Sequence, residues 1–274
     1  MNGFPLSREL GPRARDVMAG RVAPVPARDA STVVILRPAR SNGFEVYLIR
    51  RKVGMAFAAG AYVFPGGSVD PRDIDHPTGW SGPSPEEWAV ALGSDPSTAR
   101  GLVCAAVRET FEESGVLLAG PDDASIVTDT TGDDWEADRL ALIDRRLSFA
   151  DFLGARGLVL RSDLLRPWSH WITPEVEARR FDTRFFVAAL PPGQRTRDVG
   201  GEADKVTWMR PADALARSAG GEIRLMTPTY RTIAQVGEYA DMTAVLAAQR
   251  EIVPILPVIV EVDGEIRVLR GGDA

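Results

Sequence analysis

Two neighbouring stretches near the start of the chain contain continuous runs of apolar residues. "STVVILRPAR" and "FEVYLIRRK", residues 31–40 and 44–52, are rich in β-branched and apolar side chains, with Asn42-Gly43 between them. Two such runs around an Asn-Gly pair predict a β-hairpin. Residues 1–27 carry proline, glycine and arginine without periodicity and are predicted to form a tail or an arm along an edge, which leaves 28–274 as the main domain.

A long helix is predicted between Asp95 and Gly115. Asp95 can cap its first turn, Pro96 suits the first helical position, and Gly115 is placed to end the helix. An apolar stripe at helical spacing is formed by Leu102, Ala105, Ala106 and Thr110.

Two further segments are predicted to be inserted into the main domain. The first spans about 74–94 and contains a short helix that Ser84 and Pro85 would cap. Because long insertions in compact domains are usually functional or disordered, we expect this one to act as a lid or a specificity wall. The second, about 121–157, is predicted to be mostly helical, with Ser148 capping its last helix.

Strands and helices follow one another in the rest of the chain. "LLRPWSHWIT", "DTRFFVAAL" and "KVTWMRP" predict strands, and "PADALARSA", "TPTYRTIAQVGEYA" and "DMTAVLAAQRE" predict helices. A closing hairpin is predicted with Asp263-Gly264 at its turn. The predicted fold class is α+β, with a sheet and helices packed in layers.

Composition narrows the class of protein. A chain of 274 residues with 45% hydrophobic residues and a net charge of −6 is typical of a soluble globular protein. Cys104 is the only cysteine, which excludes an internal disulfide and a cysteine metal cluster and favours a cytoplasmic location. The longest apolar run is broken by Pro254 and Pro257, no signal peptide is apparent, and no basic stripe carries interleaved aromatic residues, so neither a membrane nor a nucleic acid is an expected partner.

Candidate chemistry lies in "RETFEESGV", residues 108–116. If the stretch is helical, Glu109, Glu112 and Glu113 share one side, and each like-charge pair destabilises the helix by roughly 0.2–0.5 kcal/mol. One interpretation is a solvated charged face in which Arg108 and Glu112 pair at i,i+4. The other is a metal site, which needs a second element.

That second element is predicted upstream, where "AYVFPGG" runs from a strand into a tight turn. A glycine lets the backbone approach a ligand closely, so Gly66 can offer its carbonyl oxygen to a cation held by the helix carboxylates. Hard divalent cations such as Mg²⁺ prefer oxygen ligands of this kind. The predicted metal ligands are Gly66, Glu109, Glu112 and Glu113, and the predicted cofactor is Mg²⁺ or Mn²⁺.

These elements together resemble the Nudix hydrolase family, whose motif reads G-x5-E-x7-R-E-U-x-E-E-x-G-U with U a bulky apolar residue. Gly67 fits the first glycine, and Asp73 stands at the first acidic position. The second half of the motif is matched by Arg108, Glu109, Glu112, Glu113, Gly115 and Val116. Thr110 replaces an apolar residue, and residues 74–107 replace a spacer of seven, which puts Asp73 in doubt as a site residue.

Later segments, among them "WITPEVEARRFDTRFFVAALPPGQ" and "RLMTPTYRTI", resemble the branch related to peroxisomal coenzyme A diphosphatases of animals. The resemblance implies a Nudix-type α/β/α sandwich with a mixed sheet, and hydrolysis of a diphosphate linkage in a small-molecule nucleotide. Coenzyme A or an acyl-coenzyme A is the leading substrate. ADP-ribose, a nucleotide sugar or a dinucleotide is the alternative, and a non-catalytic binding module is a second one. The chain does not stop at a peroxisomal tripeptide, and a homodimer is left open.

Roles for individual residues follow from these expectations. Glu112 is expected to act in catalysis as a metal ligand, and Arg108 is expected to hold a neighbouring carboxylate in its metal-binding orientation. The family commonly takes its general base from the helix or from a later acidic loop, where Glu202 stands. Arg50 and Arg51 end a strand close to the glycine turn and are candidate substrate-binding residues, although successive strand residues alternate faces.

Overall fold

The structure is a computed structural model that describes residues 4–5, 11–52, 59–75, 79–197, 203–262 and 265–269. Its helices are α1 (Gly11–Met18), α2 (Pro71–Asp75), α3 (Pro85–Leu92), α4 (Pro96–Ser114), α5 (Asp133–Ile143), α6 (Phe149–Ala155), α7 (Pro211–Ala219), α8 (Thr227–Val236) and α9 (Met242–Ala247). Its strands are β1 (Phe4–Pro5), β2 (Arg28–Pro38), β3 (Phe44–Arg51), β4 (Ala61–Val63), β5 (Gly66–Ser68), β6 (Trp80–Ser81), β7 (Ala119–Gly120), β8 (Val159–Arg161), β9 (Arg166–Ile172), β10 (Phe181–Ala189), β11 (Ala203–Met209), β12 (Arg224–Leu225), β13 (Pro254–Ile255), β14 (Val258–Val262) and β15 (Glu265–Leu269).

A mixed nine-stranded sheet forms the middle layer. Seven of its strands follow the order β12-β4-β3-β2-β10-β9-β13, while β11 pairs with β3 and β5 pairs with β2. β2 and β3 are antiparallel, with Leu36 opposite Val46, which confirms the predicted hairpin. β2 and β10 are parallel. β2 pairs with two further strands: its first half pairs with β5, and its last residues pair with β3.

Helices cover both faces of this sheet, as the alternation along β2 requires. Val33 and Ile35 point into a core that α3, α4 and α6 cover. Val34 and Leu36 point into a second core that α7, α8 and α9 cover. The predicted α/β/α sandwich with a mixed sheet is therefore confirmed, and α4 lies on the Val33 face.

The insertion near 74–94 contributes a buried helix to the main domain. α3 begins at Ser84 and Pro85, as predicted. Ser84 and Glu87 each accept a hydrogen bond from the other's main-chain N–H, which forms a capping box. Its Trp88 is only 3% exposed and packs edge-on against Phe186 of β10, and Leu92 is buried beside it. α3 therefore forms part of the main core, and the expectation that the insertion acts as a lid or a specificity wall stays a prediction.

The segment 121–157 contributes two helices, as predicted. The Ser148 hydroxyl accepts a hydrogen bond from the main-chain N–H of Asp151 and so caps α6. Phe152 of α6 stacks on Phe111 of α4 with ring centroids 5.2 Å apart. This helical segment is thus packed against the second half of α4.

The two ends of the described chain meet in a small sheet. β1 pairs with β15, and β14 pairs with β15 as the closing hairpin predicts, although its turn at Asp263-Gly264 lies outside the described residues. The first 27 residues also contain α1, whose Ala14 is buried. Within the part of the chain that the structure describes, no helix combines the length and the apolar character that crossing a bilayer demands. The domain boundaries inferred from the sequence remain predictions.

Candidate functional site

α4 carries the acidic residues, and its ends are set by the residues that the sequence indicated. Asp95 accepts a hydrogen bond from the N–H of Thr98 at 3.0 Å, and Gly115 ends the helix with φ 74°, a value that favours glycine. The predicted apolar stripe is fully buried. Thr110 fits that stripe because its hydroxyl donates to the carbonyl of Ala106 at 2.7 Å. The predicted ends and buried stripe of α4 are therefore confirmed.

Arg108 is the centre of the site. Its Nε and Nη2 donate to the carboxylate of Asp73 over 3.0–3.2 Å, and Nη2 also donates to the carbonyl of Ser68 at 3.0 Å. Its Nη1 donates to Glu109 at 2.8 Å and to Glu112 at 3.0 Å. The predicted i,i+4 pair with Glu112 is confirmed. It lies inside a nearly buried cluster, so the interpretation as a solvated face is excluded.

The glycine turn lies directly against these carboxylates. Gly66 is opposite Thr32, between the hydrogen-bonded pairs of the β2–β5 ladder, so its N–H and C=O point away from β2. The N–H of Gly66 donates to Glu113 Oε2 at 2.8 Å. A side chain at Gly67 would overlap the carboxylate of Glu109. Glycine at position 67 therefore lets the strand approach the acidic face of α4, whereas a side chain at Gly66 would overlap Ser31 and Thr32 of β2.

Burial dominates the electrostatics of the cluster. Burial raises the pKa of Glu109 to about 7, although the adjacent Arg108 opposes that rise. Burial likewise raises the pKa of Glu112. For Arg108, burial favours the neutral form, but Glu109 and Asp73 favour the cation more strongly, so its pKa lies above its usual value. One guanidinium therefore faces several carboxylates that it cannot fully neutralise.

The donor set suits a hard divalent cation. Glu109, Glu112 and Glu113 offer oxygen atoms, and Gly67 keeps the space beside Glu109 free of a side chain. No three acidic, histidine or cysteine side chains of the described residues are already arranged as a ligand set. Arg108 binds Oε1 of Glu109 and Oε1 of Glu112, and the N–H of Gly66 binds Oε2 of Glu113. A carboxylate has several acceptor sites, so these hydrogen bonds are compatible with a bound cation.

The other predicted site residues are distributed unevenly. Ile49 belongs to the core beneath α4, so the alternation along β3 puts Arg51 on the face of the sheet that α4 covers and Arg50 on the opposite face. Arg50 is accordingly opposite Tyr62, which belongs to the second core. Glu202 lies outside the described residues. The structure thus brings Arg108, Glu109, Glu112, Glu113 and Gly66 together, and it separates Arg50 from them.

Two residues near this cluster were not selected from the sequence. Asp73, which the long spacer put in doubt, is 4% exposed and is held by Arg108. Arg145, in the turn after α5, has φ 58°, which is unusual for a residue with a side chain. Its carbonyl accepts from Arg72 Nη1 at 3.2 Å. The position of Asp73 in the motif was a usable signal, whereas no local pattern marks Arg145.

Comparisons with known proteins agree with this geometry. A family model, the NUDT19 Nudix domain, matches residues 91–236, which is more than half of the chain. The matched range includes α4 with Arg108 and the three glutamates, and it begins after Gly66 and Asp73.

Similar proteins are found among curated sequences and solved structures. The acyl-coenzyme A diphosphatase NUDT19 of Xenopus laevis is 24% identical over 243 residues, covering 73% of this chain and 61% of that protein. The Homo sapiens protein of the same name is 26% identical over 243 residues, covering 76% and 64%. The chain therefore spans a little over three fifths of the length of these relatives. A NUDIX hydrolase from Alicyclobacillus acidocaldarius superposes with a TM-score of 0.69 at 25% identity, covering 83% of this chain and 98% of that one.

Proposed function

Because the chain belongs to the Nudix hydrolase family, in the branch of the NUDT19 Nudix domain, we propose that it hydrolyses the diphosphate linkage of coenzyme A or an acyl-coenzyme A. The products would be 3′,5′-ADP and 4′-phosphopantetheine or its acyl form. The assignment of diphosphate hydrolysis is supported by the cluster around Arg108. There, the two halves of the motif meet although a long insertion separates them in the sequence. The choice of coenzyme A rests on the names of the similar proteins.

We assign the metal-binding role to Glu109, Glu112, Glu113 and the carbonyl of Gly66. A bound Mg²⁺ or Mn²⁺ would neutralise charge on the diphosphate and lower the pKa of a water molecule. Arg108 holds Glu109 and Glu112 in place through Nη1, and Asp73 fixes the plane of the guanidinium from its other side. Removing Asp73 would let this guanidinium reorient.

The reaction itself is a displacement at phosphorus. The oxygen of a water molecule forms a bond to one phosphorus atom, and the bond from that atom to the bridging oxygen breaks. The attacking water loses a proton to a general base, for which Glu202 and the α4 glutamates are the candidates. The bridging oxygen leaves on the second phosphate. Arg51 lies on the face of the sheet that α4 covers and is the more suitable of the two strand arginines for a phosphate contact.

A substrate panel tests the proposal. Coenzyme A, acetyl-coenzyme A, ADP-ribose, NADH and UDP-glucose are each assayed with Mg²⁺ and with Mn²⁺, and products are identified after reaction in ¹⁸O-labelled water. Coenzyme A or its thioester should be the best substrate, and the label should appear on one phosphate product. If another diphosphate has a kcat/KM about tenfold higher, a gap of about 1.4 kcal/mol, the substrate assignment fails and the hydrolytic assignment stands. If no diphosphate is cleaved, the binding module is the better interpretation.

A further inference from the structure

The last turn of α4 carries Glu112 and Glu113, and its carbonyl groups are bound from outside the helix. The final carbonyls of a helix lack partners within it. Here Arg139 Nη1 donates to the carbonyl of Glu112 at 2.6 Å, and the main-chain N–H of Arg197 donates to that of Ser114 at 3.0 Å. The turn that bears two proposed metal ligands is therefore held from two separate parts of the chain.

Glu136 joins these two arginines. Its carboxylate accepts from Arg139 through Nε at 2.9 Å and Nη2 at 2.6 Å, and from Arg197 Nη1 at 2.5 Å. Arg197 Nη2 donates to the carbonyl of Thr130 at 2.8 Å, and the Thr130 hydroxyl donates to the carbonyl of Gly115 at 2.7 Å. The connected set of Thr130, Glu136, Arg139 and Arg197 is called the helix-end clamp below.

Arg139 is the most deeply buried charged residue of this clamp. Arg139 is 1% exposed, and a buried guanidinium is costly unless all of its partners are in place. The hydrogen bond from Arg139 lowers the pKa of Glu136 to about 2, with Arg197 adding to the effect, so the carboxylate that completes the clamp stays charged at neutral pH. Cations are also favoured at this end of a helix by its dipole.

The clamp also gives a reason for the glycine that ends α4. Gly115 has φ 74°, and a side chain there would lie 2.6 Å from Cγ of Arg197. Arg197 therefore crosses the helix end directly over Gly115. The space that this glycine leaves is occupied by the clamp.

We propose that Arg139 is a positioning residue for the reaction: through the helix-end clamp it holds the last turn of α4, and so sets where Glu112 and Glu113 present their carboxylates. The proposal rests on the function proposed above. Arg139 and Glu136 lie in α5, within the helical insertion. The insertion would therefore help to position the site. Arg139 acts through the backbone of α4 and does not itself contact the substrate.

Three variants and one control test this role. Arg139→Met removes the donors, Arg139→Lys restores one donor and the charge, and Glu136→Gln weakens the link between the arginines. Arg161→Lys is the matched control, because Arg161 is also buried, pairs with Asp163, and donates to the carbonyl of Ser125 at 2.7 Å away from α4. For each protein we would measure the melting temperature, the Mn²⁺ dissociation constant by titration, and kcat and KM separately.

The clamp predicts a pattern that general destabilisation does not. Arg139→Met should raise the Mn²⁺ dissociation constant and lower kcat by about tenfold or more each, with KM nearly unchanged. Arg139→Lys should recover part of both losses, and Glu136→Gln should show a smaller change in the same direction. Arg161→Lys should lower the melting temperature without altering metal affinity or kcat.

Other results would overturn the proposal or separate it from the proposed function. If Arg139→Lys and Glu136→Gln both keep wild-type metal affinity and kcat, the clamp has no positioning role. The same conclusion follows if Arg161→Lys lowers metal affinity as much as they do. These two variants decide the matter should Arg139→Met fail to fold. If the wild-type protein cleaves no diphosphate but the Mn²⁺ shifts occur as expected, the proposed function fails while the clamp stands.

Discussion

The guanidinium of Arg108 binds the carboxylate of Asp73, which lies 35 residues earlier, through Nε and Nη2 at N···O distances of 3.0–3.2 Å. This ion pair closes the chain around the insertion that contains α3. It also turns the remaining nitrogen of Arg108, Nη1, towards Glu109 and Glu112. The arrangement of the acidic face therefore depends on a residue far away in the sequence.

Asp73→Asn should loosen this arrangement. Replacing one member of a buried ion pair removes a charged partner of Arg108. We therefore expect the free energy of unfolding to fall by about 3 kcal/mol and the activity to decrease. Denaturant unfolding measured beside kinetic assays checks both effects. Asp75→Asn, at an exposed position of α2, is the control and should change neither. An Asp73→Asn protein with full stability would show that Arg108 does not need this carboxylate.

Glu112→Gln and Glu113→Gln should each abolish most of the turnover while the fold is kept. Mutating a residue that supports a metal ligand lowers metal affinity or activity by about 10- to 100-fold. Replacing a ligand itself should therefore lower kcat by at least about 100-fold. Activity is measured in excess Mg²⁺, and circular dichroism checks the fold. Glu238→Gln, exposed after α8, should be unaffected. Near wild-type activity in either variant would contradict the metal assignment.

The raised pKa of Glu109 predicts how stability depends on pH when metal is absent. Because the folded-state pKa is about 7 against 4.5 for the free side chain, the charged form is disfavoured in the folded protein. The resulting loss in the free energy of unfolding is absent below pH 4.5 and grows as the pH rises. It is complete above about pH 7, where it corresponds to about 3 kcal/mol.

Glu109→Gln should remove this dependence. In EDTA, the wild-type protein should lose stability between pH 5 and pH 7.5 by more than the variant does, as measured by denaturant unfolding at each pH. Added Mg²⁺ should restore stability to the wild-type protein and not to the variant. Equal pH dependence in both proteins would mean that Glu109 is not the group responsible.

Trp88 should be essential to the fold, because α3 belongs to the core. Trp88→Ala removes a 3%-exposed ring packed on Phe186 and should lower the free energy of unfolding by about 3–5 kcal/mol. Val90→Ala in the same helix is the control, since Val90 is 87% exposed and should change stability by no more than about 0.5 kcal/mol. Urea denaturation compares the two variants. A Trp88→Ala protein with wild-type stability would show that the fold does not depend on the packing of α3.

The sequence alone determined the features that depend on near neighbours in the chain. The start and end of α4 follow from Asp95 and Gly115, and its buried stripe follows from residues three or four apart. The same periodicity places Glu109, Glu112 and Glu113 on one side of the helix, which is why the acidic site and its family could be inferred. Caps and helical spacing act over a few residues, so a local pattern is enough to specify them.

Only the tertiary structure decided how distant parts of the chain meet. The contacts of Arg108 with Asp73, of Arg139 with the carbonyl of Glu112, and of Trp88 with the core all join residues that no local pattern relates. Which side of the sheet α4 covers, and so whether Arg50 or Arg51 lies on that side, likewise depends on how the layers pack. Such contacts form only when the sheet and the helices pack together. A long insertion separates the two partners in the sequence, so the residues near either partner do not specify the contact.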